Sequence, residues 1–155
     1  MEHAHKEPFL PVLRALAQAF QAFEQLSAYH IRQMDLTPPQ FDVVATLGNT
    51  PGMSCKELSE KTLITKGTLT GVVDRLAEKG LVERQAMAND RRGVFITLTQ
   101  QGAALFAEVF PAHVKHMKTA FSGYAPEQLD HLTQELHGLK RAFSLALEQQ
   151  TRENP

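Results

Sequence analysis

Between Thr65 and Leu98 the chain runs through a helix-length amphipathic stretch, a glycine, and two short alternating segments joined by NDRRG. That order constrains the fold more than any other feature. Leu69, Val72, Val73 and Leu76 repeat at helical spacing, with Thr65 positioned to cap their helix from Lys66 to about Lys79. Gly80 falls where a helix terminus favours a left-handed residue. Two strands, about 81–86 and 93–98, then form a hairpin whose polar tip is shaped by Asn89 and Asp90. Upstream, SCKELSEK starts a short helix through a capping box of Ser54 and Glu57. A helix, a tight link, a second helix and a hairpin together make a helix-turn-helix followed by a wing.

The flanks are helical and longer. Phe9, Val12, Leu13, Leu16, Phe20, Phe23, Leu26 and Ile31 form one stripe. In LTPPQF, Thr37 and Gln40 make a capping box for a helix that runs to about Gly48, before TPG breaks it. Thr99 caps a helix carrying Leu105, Phe106, Val109 and Phe110, in which Pro111 introduces a kink. After SGYAP, the residues Leu129, Leu132, Leu136, Leu139, Phe143 and Leu147 form a near-heptad seam suited to another long helix. The expected fold is therefore mainly α with a small β-hairpin. Residues 1–36 form an N-terminal helix, 37–100 the winged helix-turn-helix, and 101–155 the C-terminal helices.

Charge sharpens the reading. The whole chain has a net charge of −1, yet residues 65–98 carry six Lys/Arg against four Asp/Glu, leaving the remainder at −3. A helix-turn-helix presents its second helix to the DNA major groove, and the small or flexible donors there are Thr65, Lys66, Thr68 and Thr70. Gly67 costs the helix stability, which a close approach of its backbone to a ligand would offset. Beside that helix, Arg91 or Arg92 at the hairpin tip can enter the minor groove, with Gly93 letting the backbone turn back into the strand. Asp74, on the exposed side of the helix, can hold one of these arginines in register.

Other chemistry finds less footing. No GxSxG, phosphate-binding glycine loop or HExxH occurs, so an enzyme is not expected. Neither a metal nor any other cofactor is expected, although His113 and His116 lie three apart on one helix and Glu108 one turn before. A single Cys55 excludes an internal disulfide framework; its place near a helix start beside Lys56 leaves a redox role open against an inert thiol. The terminus MEHAHKEPF lacks a signal-peptide pattern, and no apolar run is long enough to span a membrane, so a cytoplasmic protein is expected.

The segments LTPPQFDVVATL and SCKELSEKTLITKGTLTGVVDRLAEKGLVERQAMANDRRGVFITLTQQGAALF carry VDRLAEKGLVER, NDRRG and ITLTQQG in order. This pattern resembles the multiple-antibiotic-resistance-regulator (MarR) family over roughly residues 9–148. The resemblance implies a homodimeric winged helix-turn-helix repressor whose first and last helices interlock with those of a second copy. It puts Thr65, Lys66, Thr68 and Thr70 on the recognition helix and Arg91 and Arg92 on the wing. Asp74 matches an aspartate that relatives pair with a wing arginine, here Arg92, while Asp90 shapes the turn. Gly71 replaces a basic residue common in relatives. The resemblance also implies double-stranded DNA as partner and a small phenolic or amphipathic effector, for which Tyr29, His30, Met34 and Phe41 are candidate pocket residues. The alternatives are a redox- or metal-responsive regulator of the same fold, and a winged-helix protein-interaction module.

Overall fold

The computed structural model describes residues 7–62, 64–87 and 90–153. Six α-helices and three short strands follow one another among them: α1 (Leu10–Gln33), α2 (Pro38–Leu47), β1 (Met53–Ser54), α3 (Cys55–Thr62), α4 (Lys66–Glu78), β2 (Val82–Met87), β3 (Asp90–Leu98), α5 (Gln100–Lys118) and α6 (Pro126–Glu153). A 3-10 turn, Thr119–Phe121, precedes α6. The mainly helical fold with a small antiparallel sheet matches expectation. Two compact units divide the chain, one ending at Met117 and the other beginning at Lys118.

Local chemistry sets the boundaries. The Thr37 hydroxyl accepts from Gln40 N at 3.4 Å while Gln40 Oε1 accepts from Thr37 N at 3.1 Å, closing the capping box of α2. The Ser54–Glu57 box closes similarly: Ser54 N and Oγ both donate to Glu57 Oε2 at 2.8 Å, and Glu57 N donates to Ser54 Oγ at 3.2 Å. Those hydrogen bonds, the backbone one foremost, hold the Glu57 carboxyl below its ordinary pKa. Gly80 takes φ +72°, and the bonds Leu81 N to Leu76 O and Gly80 N to Ala77 O, both 2.9 Å, complete a Schellman motif ending α4. Thr99 Oγ1 accepts from Gly102 N at 3.0 Å to start α5.

Two expectations are corrected. Thr65 occupies the N-cap position of α4, but its side chain caps no backbone amide; its hydroxyl instead bonds Thr68 Oγ1 at 3.2 Å. The sheet also has a third strand, in the order β1-β3-β2, with Met53 opposite Ile96 and Ser54 opposite Phe95. Gly52, at φ +104°, makes that pairing possible, because a Cβ there would lie 2.6 Å from Ile96 O.

The core gathers Phe41, Val43, Val44 and Leu47 from α2, Leu58 from α3, and Leu69, Val72, Val73 and Leu76 from α4 under Ile96 of β3. Leu58, Leu76 and Ile96 are fully buried, each stabilising the domain by roughly 1.5–3 kcal/mol relative to an exposed side chain. α1 and α6 behave differently. Phe9, Leu13, Phe20 and Phe23 in and beside α1 are exposed, and Ile31 is its one buried residue. α6 buries none, leaving Leu132, Leu136, Phe143 and Leu147 exposed.

Candidate nucleic-acid interface

α4 divides cleanly into two faces. Its apolar stripe is buried, whereas Thr65, Lys66, Gly67, Thr68 and Thr70 are all exposed on the first two turns. Thr70 Oγ1 donates back to Lys66 O at 3.2 Å, fixing its rotamer on that face. A Cβ built on Gly67 or Gly71 would meet nothing within 4 Å. Neither glycine is therefore required by packing within the chain, although each weakens the helix by about 1 kcal/mol relative to alanine.

The wing is tied to this helix. Arg84 Nη2 on β2 donates to Asp74 Oδ1 on α4 at 2.6 Å. Asp74 is expected from the sequence to hold Arg91 or Arg92 at the tip, and the arginine it contacts is Arg84 of the first strand. The side chains of Asp90, Arg91 and Arg92, and the whole of Asn89, lie outside the described residues, so the pairing of Asp74 with Arg92 does too. The backbone register is informative. Met87 pairs with Asp90 but Ala86 pairs with Val94, so Arg91, Arg92 and Gly93 have no opposite residue on β2. The arginine pair thus occupies a backbone irregularity of the strand.

The four candidate pocket residues do not share one cavity. A cavity of about 780 Å³ runs along α1, with Phe20, Phe23, Tyr29, Arg32, Asp42 and Ile64 among its lining residues, and of the four only Tyr29 belongs to it. Met34 packs on the core. His30 and Phe41 instead join the histidines of α5: Phe41 lies 4.5 Å from His113 and His30 stacks 4.5 Å from His116, centroid to centroid. Nothing in the sequence marked that grouping beyond the three-residue spacing of His113 and His116. Among the described residues no group of three His, Cys, Asp or Glu is placed to hold a metal ion. Cys55 is exposed at the start of α3. None of the described helices is long and apolar enough to cross a membrane.

A short helix, a polar-faced second helix and a hairpin braced to it by an ion pair define a winged helix-turn-helix protein. Comparison with known proteins narrows the class. A model of the MarR family matches residues 36–94. The homoprotocatechuate degradative operon repressor of Escherichia coli is 30% identical over 129 residues, 81% of this chain and 86% of that protein. The structure of Bordetella bronchiseptica BpsR, described for regulation of its DNA binding by 6-hydroxynicotinic acid, matches with a TM-score of 0.74 and 28% identity, covering 84% of this chain and 98% of that one. A mutant of E. coli MarR complexed with operator DNA matches with a TM-score of 0.76 and 25% identity, covering 86% and 99%. The chain belongs to the MarR family. It is a DNA-binding transcriptional regulator and not an enzyme.

Proposed function

We propose that the protein is a homodimeric, sequence-specific repressor that a small amphipathic or phenolic molecule releases from a palindromic operator. The observation that carries the DNA-contact part is the exposed donor face of α4 with the wing braced beside it by Asp74 and Arg84. In this reading Thr65, Lys66, Thr68 and Thr70 meet the major groove, and Arg91 and Arg92 the adjacent minor groove. Exposed apolar stripes on α1 and α6 support dimerisation, since monomers rarely leave so many large apolar side chains in water. Residues 1–36 and 101–155 would then serve the dimer and 37–100 the DNA.

The cavity along α1 supports an effector site of suitable size, its apolar residues interspersed with polar ones that include Arg32 and Tyr29 and the carboxylates of Glu24 and Asp42. The relatives named above, one regulated by 6-hydroxynicotinic acid and one governing homoprotocatechuate degradation, favour hydroxylated aromatic acids. Light scattering should give the mass of two chains at micromolar concentration. Fluorescence anisotropy on upstream DNA should then show release by at least one member of a panel of such acids. A monomeric mass would overturn the proposal, and a dimer held on DNA through the whole panel would remove its effector part.

The two open glycines give a prediction of opposite signs. Replacing both Gly67 and Gly71 by alanine should raise the melting temperature, by roughly 1–2 kcal/mol of helix stability in total. The same change should weaken DNA binding about tenfold or more, because the methyl group added at Gly67 would hold the backbone away from the groove. Thermal melts and anisotropy on one preparation check both signs. Unchanged affinity would show that neither glycine faces DNA closely.

A further inference from the structure

We propose that His30 of α1 and His113 of α5 share a proton between their Nδ1 atoms, forming with the stacked His116 an acid-released latch that fastens α1 to α5. The two Nδ1 atoms are 3.2 Å apart, a hydrogen-bond distance that requires one nitrogen to donate and the other to accept. His113 is 8% exposed, and its Nε2 lies 3.3 Å from Ser27 Oγ on α1. Two proton arrangements satisfy this chain. In one, Ser27 donates to His113 Nε2 and His113 donates to His30. In the other, His30 donates to His113, which donates to Ser27. The hydroxyl rotates to suit either, so the uncharged pair is stable in both.

His116 adds a second tie. Its ring stacks on His30 at 4.5 Å with an interplanar angle of 14°, and its Nε2 lies 3.1 Å from Leu26 O, which can only accept. Three imidazoles from two helices are thereby packed in mutual contact, with Phe41 of α2 closing the side toward the DNA-binding core.

Adding protons strains this arrangement in steps. One extra proton on the pair can still be hydrogen-bonded, because an imidazolium donates from both nitrogens. A second sets N–H against N–H across 3.2 Å. Burial first, then the neighbouring imidazoles, already hold both His30 and His113 below the ordinary imidazole pKa. A group depressed in the closed form binds protons better once released. The latch is therefore fully stable above the ordinary imidazole value of about 6.5 and is lost as pH falls through and below it. The Tyr29 ring also lies beside the cluster, 6.4 Å from His116. Of the charged side chains nearby in sequence, Arg32 on α1 and Lys115 on α5 belong to exposed residues, while burial raises the Asp42 carboxyl on α2 above its ordinary pKa.

Amide hydrogen exchange on the full chain at pH 7.5 and 5.5, corrected for intrinsic rates, tests the latch. In the wild type, amides of the last two turns of α1 should lose roughly tenfold in protection on acidification. In His30→Gln, whose amide can hydrogen-bond His113 without titrating, the loss should be clearly smaller, leaving only that due to the burial of His113. If that variant fails to fold, ring-nitrogen NMR of the wild type decides the matter. It should show two imidazoles titrating below the ordinary value as a coupled pair. Equal loss of protection in both proteins, or histidines that all titrate independently at the ordinary value, would overturn the proposal.

Discussion

Gly102→Ala is expected to destabilise the chain by about 3 kcal/mol or more, a large share of the stability of a domain this size. Gly102 is buried in the first turn of α5, and a Cβ there would stand 1.9 Å from Leu81 O and 2.9 Å from Leu81 C. Those atoms cannot retreat. Leu81 N closes the Schellman motif of α4, Leu81 O accepts from Thr99 N at 3.1 Å, and the Leu81 side chain is buried. The glycine is thus where the end of α4, the base of the hairpin and the start of α5 meet. Urea denaturation at 25 °C checks the expectation, with Gly123→Ala as control because a Cβ at Gly123 meets nothing within 4 Å. A cost below about 1 kcal/mol would mean that α5 can shift off the hairpin, contrary to the packing described.

Arg92→Ala is expected to reduce affinity for operator DNA more than tenfold while leaving the melting temperature and the oligomeric mass unchanged. A wing arginine in the minor groove gives up solvation for phosphates and a negative groove, so its loss removes both a charge and a shape-dependent contact. The dependence of log K on log salt should also become shallower by about one unit. The backbone supports a role beyond an ordinary strand residue, since Arg91 to Gly93 fall between the paired positions Met87–Asp90 and Ala86–Val94. Arg84→Ala is the informative comparison, because that arginine is engaged with Asp74. Retention of affinity within a factor of two in Arg92→Ala would show that Arg92 makes no contact with DNA that matters for binding.

Features coded within a few residues were legible in the sequence. The boxes of Thr37 with Gln40 and Ser54 with Glu57, the cap at Thr99 and the left-handed Gly80 all satisfy terminal backbone groups with near neighbours, so their pattern is visible locally. The stripe of α4 was equally clear because its spacing repeats. What escaped depends on distant partners. β1 is two residues long and exists only through β3, more than forty positions downstream. Asp74 has arginines available on both strands of the hairpin, and only the folded register brings Arg84 against it. His30 and His113 are 83 residues apart, and no periodicity connects them. The same limit separated Tyr29, which lines the α1 cavity, from Phe41, which faces the histidines.

In the proposed function α4 and the wing grip DNA as one surface. The most direct test is fluorescence anisotropy of the purified chain on its own upstream duplex, titrated with salt beside a scrambled duplex of equal length. Tight, sequence-selective binding with a steep salt slope is the expected result, reflecting several phosphate contacts together with base readout. Weak binding that is equal on both duplexes and insensitive to salt would contradict it.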